Sequence, residues 1–275
     1  MNAEEIIIEA GRTEANYWRD LWRYRELFYF LAWRDILVRY KQTVLGVAWA
    51  LIRPLLTTIV LTVVFSKVAK LPAPGAAPYA LLVFTGMLPW QFFSTALSES
   101  SDSLIGSANL ISKVYFPRLI VPAGSVITSF VDFLITLGLA AAMMLWYGYF
   151  PDWRLAVLPL FVILAFGAAF GAGLCLCALN VKYRDFRYIV PFIVQFGLYI
   201  SPVGFSSSNI PERWRLLYAA NPMVGIIDGF RWALLRGESK LWWPSVAASV
   251  LTTVVLCLAG TLYFRRTEKT FADII

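Results

Sequence analysis

The chain has 275 residues, 59% of them hydrophobic, and a mean hydropathy of +0.67. Soluble domains carry about 45–50% apolar residues, so this composition predicts an all-α polytopic membrane protein. The formal net charge is +7, but the basic residues lie between apolar runs, a pattern of membrane orientation rather than nucleic-acid binding. Histidine is absent, which excludes Ser–His, Cys–His and His–metal chemistry. Cys175, Cys177 and Cys257 lie in apolar segments with no C-x-x-C pair and read as small buried hydrophobes.

Residues 1–16 are polar and acidic, and the first 40 residues are too charged for a secretory signal peptide. From Tyr17 to Trp33 the character changes. Trp18, Leu21, Trp22, Phe28, Tyr29 and Ala32 recur at helical spacing, with Arg19, Asp20, Arg23, Arg25 and Glu26 largely between them. This predicts an amphipathic helix in the headgroup plane; a surface helix packed on its own protein is the alternative.

Six spans are expected. A membrane helix needs about 20 residues, and the uncharged run 54–66 has only 13. The first span must therefore reach back past Arg53 to about Val47, which places Arg53 about six residues, or roughly 9 Å, into the helix. The second is predicted at 79–97, with a kink at Pro89. The third lies within 119–150, broken only by Asp132. The fourth covers 155–179 and carries Gly167 and Gly171 at a spacing that permits close helix packing. The fifth covers 188–205, between Pro191 and Pro202, and the sixth 244–264. The chain thus divides into a tail and interface helix (1–45), a six-span bundle (46–264) and a second tail (265–275). Of the 24 Lys and Arg, 16 fall on the side of the two termini, so both termini are expected in the cytoplasm. Trp33 and Trp49 would flank the inner face, and Trp146, Trp153, Trp242 and Trp243 the outer.

Two connections carry helical signals of their own. In the polar loop 98–118, Ser107 is placed to cap a short helix, Pro117 to stop it, and Leu104, Leu110 and Ile111 give it an apolar face. It reads as a docking site for a partner, or as a loop helix packed on its neighbours. In the segment 206–243, Pro211 and Pro222 suit first helical turns, Asn221 suits a cap, and Asp228 and Arg231 are spaced to pair. Two short re-entrant or surface helices over the outer mouth are expected.

Buried charges usually face protein or a water-filled cavity. An Arg53–Asp132 pair is one reading, and snorkelling of Arg53 to the headgroups is the other. Trp90 lies about 16 Å into its span, followed by Phe92 and Phe93. These aromatics either line a saccharide path, by stacking on the apolar faces of sugar rings, or pack around the Pro89 kink. The chain has no G-x-x-x-x-G-K-[ST] loop and no D-x-D metal motif. No catalytic residue, metal ligand or cofactor is expected on it.

Four segments carry a resemblance: RYKQTVLGVAWALIRPLL (39–56), ANLISKVYFPRLIVP (108–122), LNVKYRDFRYIVPF (179–192) and NPMVGIIDGFRWALL (221–235). Together they resemble the permease subunits of type-2 ABC exporters, and more narrowly the Wzm/TagG group that exports O-antigen, capsule or teichoic acid. The resemblance implies a homodimer in the bacterial inner membrane with two copies of a separate ABC ATPase, where ATP and Mg would bind. It implies a coupling helix at about 101–114, with Leu104, Asn109, Leu110 and Ile111 facing the ATPase, and outer gate helices before the last span. The implied substrate is a polysaccharide on undecaprenyl diphosphate. Arg39, Lys41, Arg53 and Arg118 would then contact the diphosphate near the inner leaflet, and Trp90, Phe92 and Phe93 the glycan. The alternatives are a type-2 exporter of drugs or simple lipids and a polytopic glycosyltransferase or ligase. The absence of histidine and the scarcity of membrane carboxylates count against an enzyme.

Overall fold

A computed structural model describes residues 13–41, 46–72 and 75–271. All regular elements among the described residues are helical, as required where lipid offers no partner to backbone polar groups. α1 (Thr13–Arg23) and α2 (Arg25–Lys41) precede α3 (Gly46–Thr62), which runs on as a π-helical turn, Val63–Val68. There follow α4 (Tyr79–Gly106), α5 (Ala108–Ile111), α6 (Ile120–Trp146), α7 (Leu158–Lys182) and α8 (Phe186–Ile200). The chain ends with α9 (Glu212–Tyr218), α10 (Pro222–Leu234) and α11 (Trp243–Thr267).

Five helical segments, those containing α3, α4, α6, α7 and α11, are long and apolar enough to cross a membrane. The expected fifth span at 188–205 differs. Its helix, α8, has 15 residues and covers about 22 Å, short of a hydrocarbon core of about 30 Å. Pro202 disfavours a helical Ser201, and Ser201 is extended at φ −79°, ψ 150°. The helix therefore stops inside the apolar run.

α4 is the axis of the bundle: 83% of its most apolar window is buried, against 17% for α3. Its Phe92 ring packs against Phe130 and Phe133 of α6 and Phe166 of α7, at centroid distances of 5.6–6.2 Å. α4 also corrects the expected loop at 98–118. The helix runs on through Gly106, and its 28 residues span about 42 Å, so its polar end projects beyond the apolar layer. Ser101 and Ser103 donate to the carbonyls of Ser98 and Ser100, so these hydroxyls are satisfied within the helix. What remains of the loop helix is the four-residue α5, and the Ser107 side chain does not cap it.

α7 and α11 pack along the small residues noted in the sequence. A Cβ at Gly260 would fall 2.1 Å from the Gly171 carbonyl oxygen, and one at Gly171 would fall 2.5 Å from the Cys257 nitrogen. Backbone meets backbone here, so nothing flexible yields. Gly260→Val is expected to destabilise the fold at the upper end of the range of about 1–3 kcal/mol for overpacking, read as a lowered Tm in detergent.

α10 is not a surface helix. Val224, Ile226, Ile227 and Phe230 are buried, and Gly225 and Gly229 let it close on Ser245 of α11 and the Phe161 ring. Asn221 does cap it, accepting from the Met223 N–H at 3.0 Å. Asp228 and Arg231 do not form the expected ion pair. Ser207 donates to Asp228 at 2.6 Å. Arg231, fully buried, donates to the carbonyls of Leu82, Val203 and Phe205 at 2.7–3.1 Å.

A second, smaller core lies where α1 meets the end of α11 and gathers Tyr17, Leu31, Leu104, Ile111, Phe116, Leu119, Phe264 and Phe271. Exposed tryptophans mark both ends of the bundle: Trp22, Trp33 and Trp49 at this end, and Trp146, Trp153 and Trp243 at the other.

Candidate functional site: a charged cavity between α2, α3, α4 and α6

Polar residues recur on one face of two membrane helices. In α4 they are Gln91, Thr95 and Glu99, each four apart; in α6 they are Ser129, Asp132 and Thr136, three and four apart. Such spacing places each set on a single helix face. The two faces meet a cavity of about 280 Å³, closed by Arg39 and Tyr40 from α2 and by Trp49 and Arg53 from α3.

Arg39 is the hub. Its guanidinium bonds to Glu99 through one nitrogen and to Asp132 through the other. Tyr40 donates to the second oxygen of Asp132, and Ser129 donates to Glu99 at 2.9 Å. One planar donor fork thus ties three helices together. Burial and the adjacent Asp132 carboxylate raise the Tyr40 hydroxyl above its usual range, which keeps it a donor. The Arg39, Glu99 and Asp132 side chains remain 23–29% exposed, so water reaches the cluster. A second cavity of about 700 Å³ shares Arg39 and Glu99 and adds Asp35 and Asp102.

Asp132 lies 14 residues from the Trp146 end of α6, or about 21 Å, and Glu99 lies 20 residues from the start of α4, or about 30 Å. The site therefore sits in the half of the bundle nearer the termini. α2 reaches it through Arg39 and Tyr40 in its last turn, which bond to α4 and α6. The expected Arg53–Asp132 pair is replaced by Arg39–Asp132. Arg53 is exposed and lines the same cavity, and among the described residues it forms no ion pair. Its charge is available to a ligand.

The other expected residues fall as follows. Trp90 and Phe93 are 4% and 9% exposed; Trp90 packs on Gly197 of α8 and on Phe93. In the single chain both rings fill the core, where large apolar rings release most free energy. Phe92 is buried too and reaches only the cavity wall. Lys41 is exposed. Arg118 is engaged by Glu268. Leu104 and Ile111 are buried in the smaller core, whereas Asn109 is exposed and Leu110 half-buried.

The sequence reading missed Glu99, Gln91, Thr95 and Ser129. The four-residue spacing of Gln91, Thr95 and Glu99 was a usable signal, hidden because Glu99 stands among serines typical of a loop. A further surface also went unnoticed: Tyr188, Phe192, Phe196 and Tyr199 form an exposed aromatic face on α8, with Phe192 and Phe196 rings 4.2 Å apart.

Multiple apolar spans around a cavity that offers cations, carboxylates and hydroxyls describe a multi-pass membrane protein built to bind and move a polar solute. Residues 26–235 match the ABC-2 type transporter family, and the chain belongs to that family. It is 27% identical over 259 residues to the O-antigen export system permease protein RfbA of Myxococcus xanthus, covering 94% of this chain and 98% of that protein. It is 28% identical to RfbA of Klebsiella pneumoniae, with 88% and 92% covered, and 22% identical to the polysialic acid transport protein KpsM of Escherichia coli, with 86% and 91% covered.

Proposed function

We propose that this chain is the membrane subunit of an ATP-driven exporter that moves a lipid-linked polysaccharide of the O-antigen type across the bacterial inner membrane. The observation that carries the reading is its near end-to-end similarity to named export permeases. ATP would be bound and hydrolysed by a separate ABC ATPase, in two copies, beneath a homodimer of this chain. The exposed apolar faces of α3 and α8 suit a second copy.

Six crossings fit better than five. Tyr17 of α1 lies beside Arg265 near the end of α11, and an odd number of crossings would separate them. We assign the sixth crossing to α8 together with the buried residues 201–204. The excess of basic residues then puts both termini in the cytoplasm.

The substrate would be an undecaprenyl diphosphate carrying the glycan. Of the four cations considered for the diphosphate, Arg39 is committed to two carboxylates and the Arg118 guanidinium to the Glu268 carbonyl within the chain, leaving Arg53 and Lys41 as the proposed contacts. The glycan path is better served by the exposed α8 aromatics than by Trp90 and Phe93. The ATPase would dock on Asn109, Leu110 and the exposed residues 112–115.

The test is complementation of a strain lacking its own O-antigen permease, with surface polysaccharide as the readout. The wild-type chain with its ATPase is expected to restore export. Arg53→Ala is expected to reduce it about tenfold or more at unchanged membrane abundance, the scale of one lost charge-assisted bond. Full export by Arg53→Ala would reduce Arg53 to a membrane anchor. The relative named for polysialic acid transport points to a second substrate class, which the same assay separates in a strain lacking that permease.

A further inference from the structure

At the terminal end of the bundle, two separate parts of the chain meet Glu268, which follows the end of α11. The Arg118 N–H, just before α6, donates to Glu268 Oε1 at 2.7 Å. The Arg118 guanidinium donates to the Glu268 carbonyl. The Tyr17 hydroxyl of α1 lies against the same carboxylate, and the Arg265 guanidinium lies 4.7 Å from the Tyr17 ring centroid. Beyond Glu268 the chain is anchored by Phe271, which is 1% exposed and packs edge-on against Phe264 at 5.4 Å.

The segment so held is 112–118, the link between α5 and α6. Residues 112–115 are exposed, and the backbone bonds at its two ends are local, from Lys113 and Val114 to Leu110 and from Ile120 to Pro117. Phe116 and Pro117 are buried, but apolar contact resists removal more than it resists sliding. A carboxylate that accepts a backbone N–H is directional, and here it also stands at the positive end of the α6 dipole.

We propose that Glu268 is a positioning residue for energy coupling: it joins the docking segment 109–118 to α11 and α1, so that a displacement imposed there moves α6 and α11 together instead of being absorbed in the link. This rests on the ATPase partner proposed above. The carboxylate does not touch the ATPase or the substrate; it acts through the Arg118 backbone.

The experiment uses the full complex of this chain and its ATPase, purified together and also assayed for export in cells. Glu268→Gln keeps an oxygen for the Arg118 N–H, whereas Glu268→Ala does not and Glu268→Asp falls short by one methylene. Phe271→Ala is the control for loosening the same core without removing the link. The clamp predicts that Glu268→Gln exports at close to the wild-type rate. Glu268→Ala and Glu268→Asp should lose about fivefold or more in export, the scale of one backbone N–H left without its acceptor. In both, the ATPase should copurify and hydrolyse ATP as with wild type. Equal export by all three variants overturns the clamp. So does a loss that tracks Tm and matches that of Phe271→Ala, which would make the role merely structural. Where Glu268→Ala fails to fold, Glu268→Asp against Glu268→Gln decides. Failure of the wild-type chain to copurify with the ATPase is a different result, which overturns the transport reading itself.

Discussion

Arg39→Ala is expected to abolish export and to destabilise the protein. The substitution leaves Glu99 and Asp132, on different helices, without their shared cation. Breaking a buried ion pair costs about 3–5 kcal/mol, and because these side chains are about a quarter exposed the loss should lie near the lower figure. Thermal unfolding in detergent measures it. The double variant Arg39→Ala/Asp132→Ala should recover part of the stability, since it removes one stranded charge, while export stays lost. Arg53 lines the same cavity and is the nearest substitute cation. Adding Arg53→Ala to Arg39→Ala should therefore cost more than the two single changes together. Strict additivity would mean that the cavity does not act as one electrostatic unit.

A larger loss is expected at Arg231. Its guanidinium is fully buried and joins α10 to α4 and to the chain after α8. Arg231→Leu would strand the carbonyls of Val203 and Phe205, each costing about 1–3 kcal/mol when left unpaired in a buried site, while the Leu82 carbonyl keeps its bond from the Thr85 hydroxyl. Several kcal/mol exceeds what a protein of ordinary marginal stability tolerates, so the variant should fail to accumulate in the membrane. Arg231→Lys retains the charge but presents a point donor instead of a fork, and should accumulate at a reduced level with a lowered Tm. Gly86 lies so close to this group that a Cβ there would come within 2.7 Å of it. Gly86→Ala should therefore weaken the same joint. Membrane abundance by immunoblot, beside a Cys175→Ala control away from the joint, separates this outcome from a general loss of expression.

Helical class, five long spans and the close-packing glycines of α7 were all legible in the residues. So were the aromatic belts and the Asn221 cap. Each depends on composition or on short-range spacing. The junctions were less legible. Residues 98–106 look like a loop because serine is a poor helix former, yet burial of Ser100, Ser101 and Leu104 against the bundle holds them helical, with the hydroxyls of Ser101 and Ser103 satisfied by helix carbonyls. α10 reads as a re-entrant or surface helix because it is too short to span and carries Asp228 and Arg231, yet Ser207, Phe205 and Leu82 supply partners for both.

The charged site shows the same division. That Arg53 lies within a span follows from its position, because hydrophobic length sets depth, whereas the depth of Asp132 does not, because its apolar run, 119–150, is longer than one span needs. Which arginine serves Asp132 does not follow from position. Arg53 lies in the span, and Arg39 lies before it. Only the packing of α2 on α6 carries Arg39 to the two carboxylates and leaves Arg53 facing the cavity. Local periodicity is a property of a dozen residues, whereas an ion pair between residues 39 and 132 is decided by how whole helices cross.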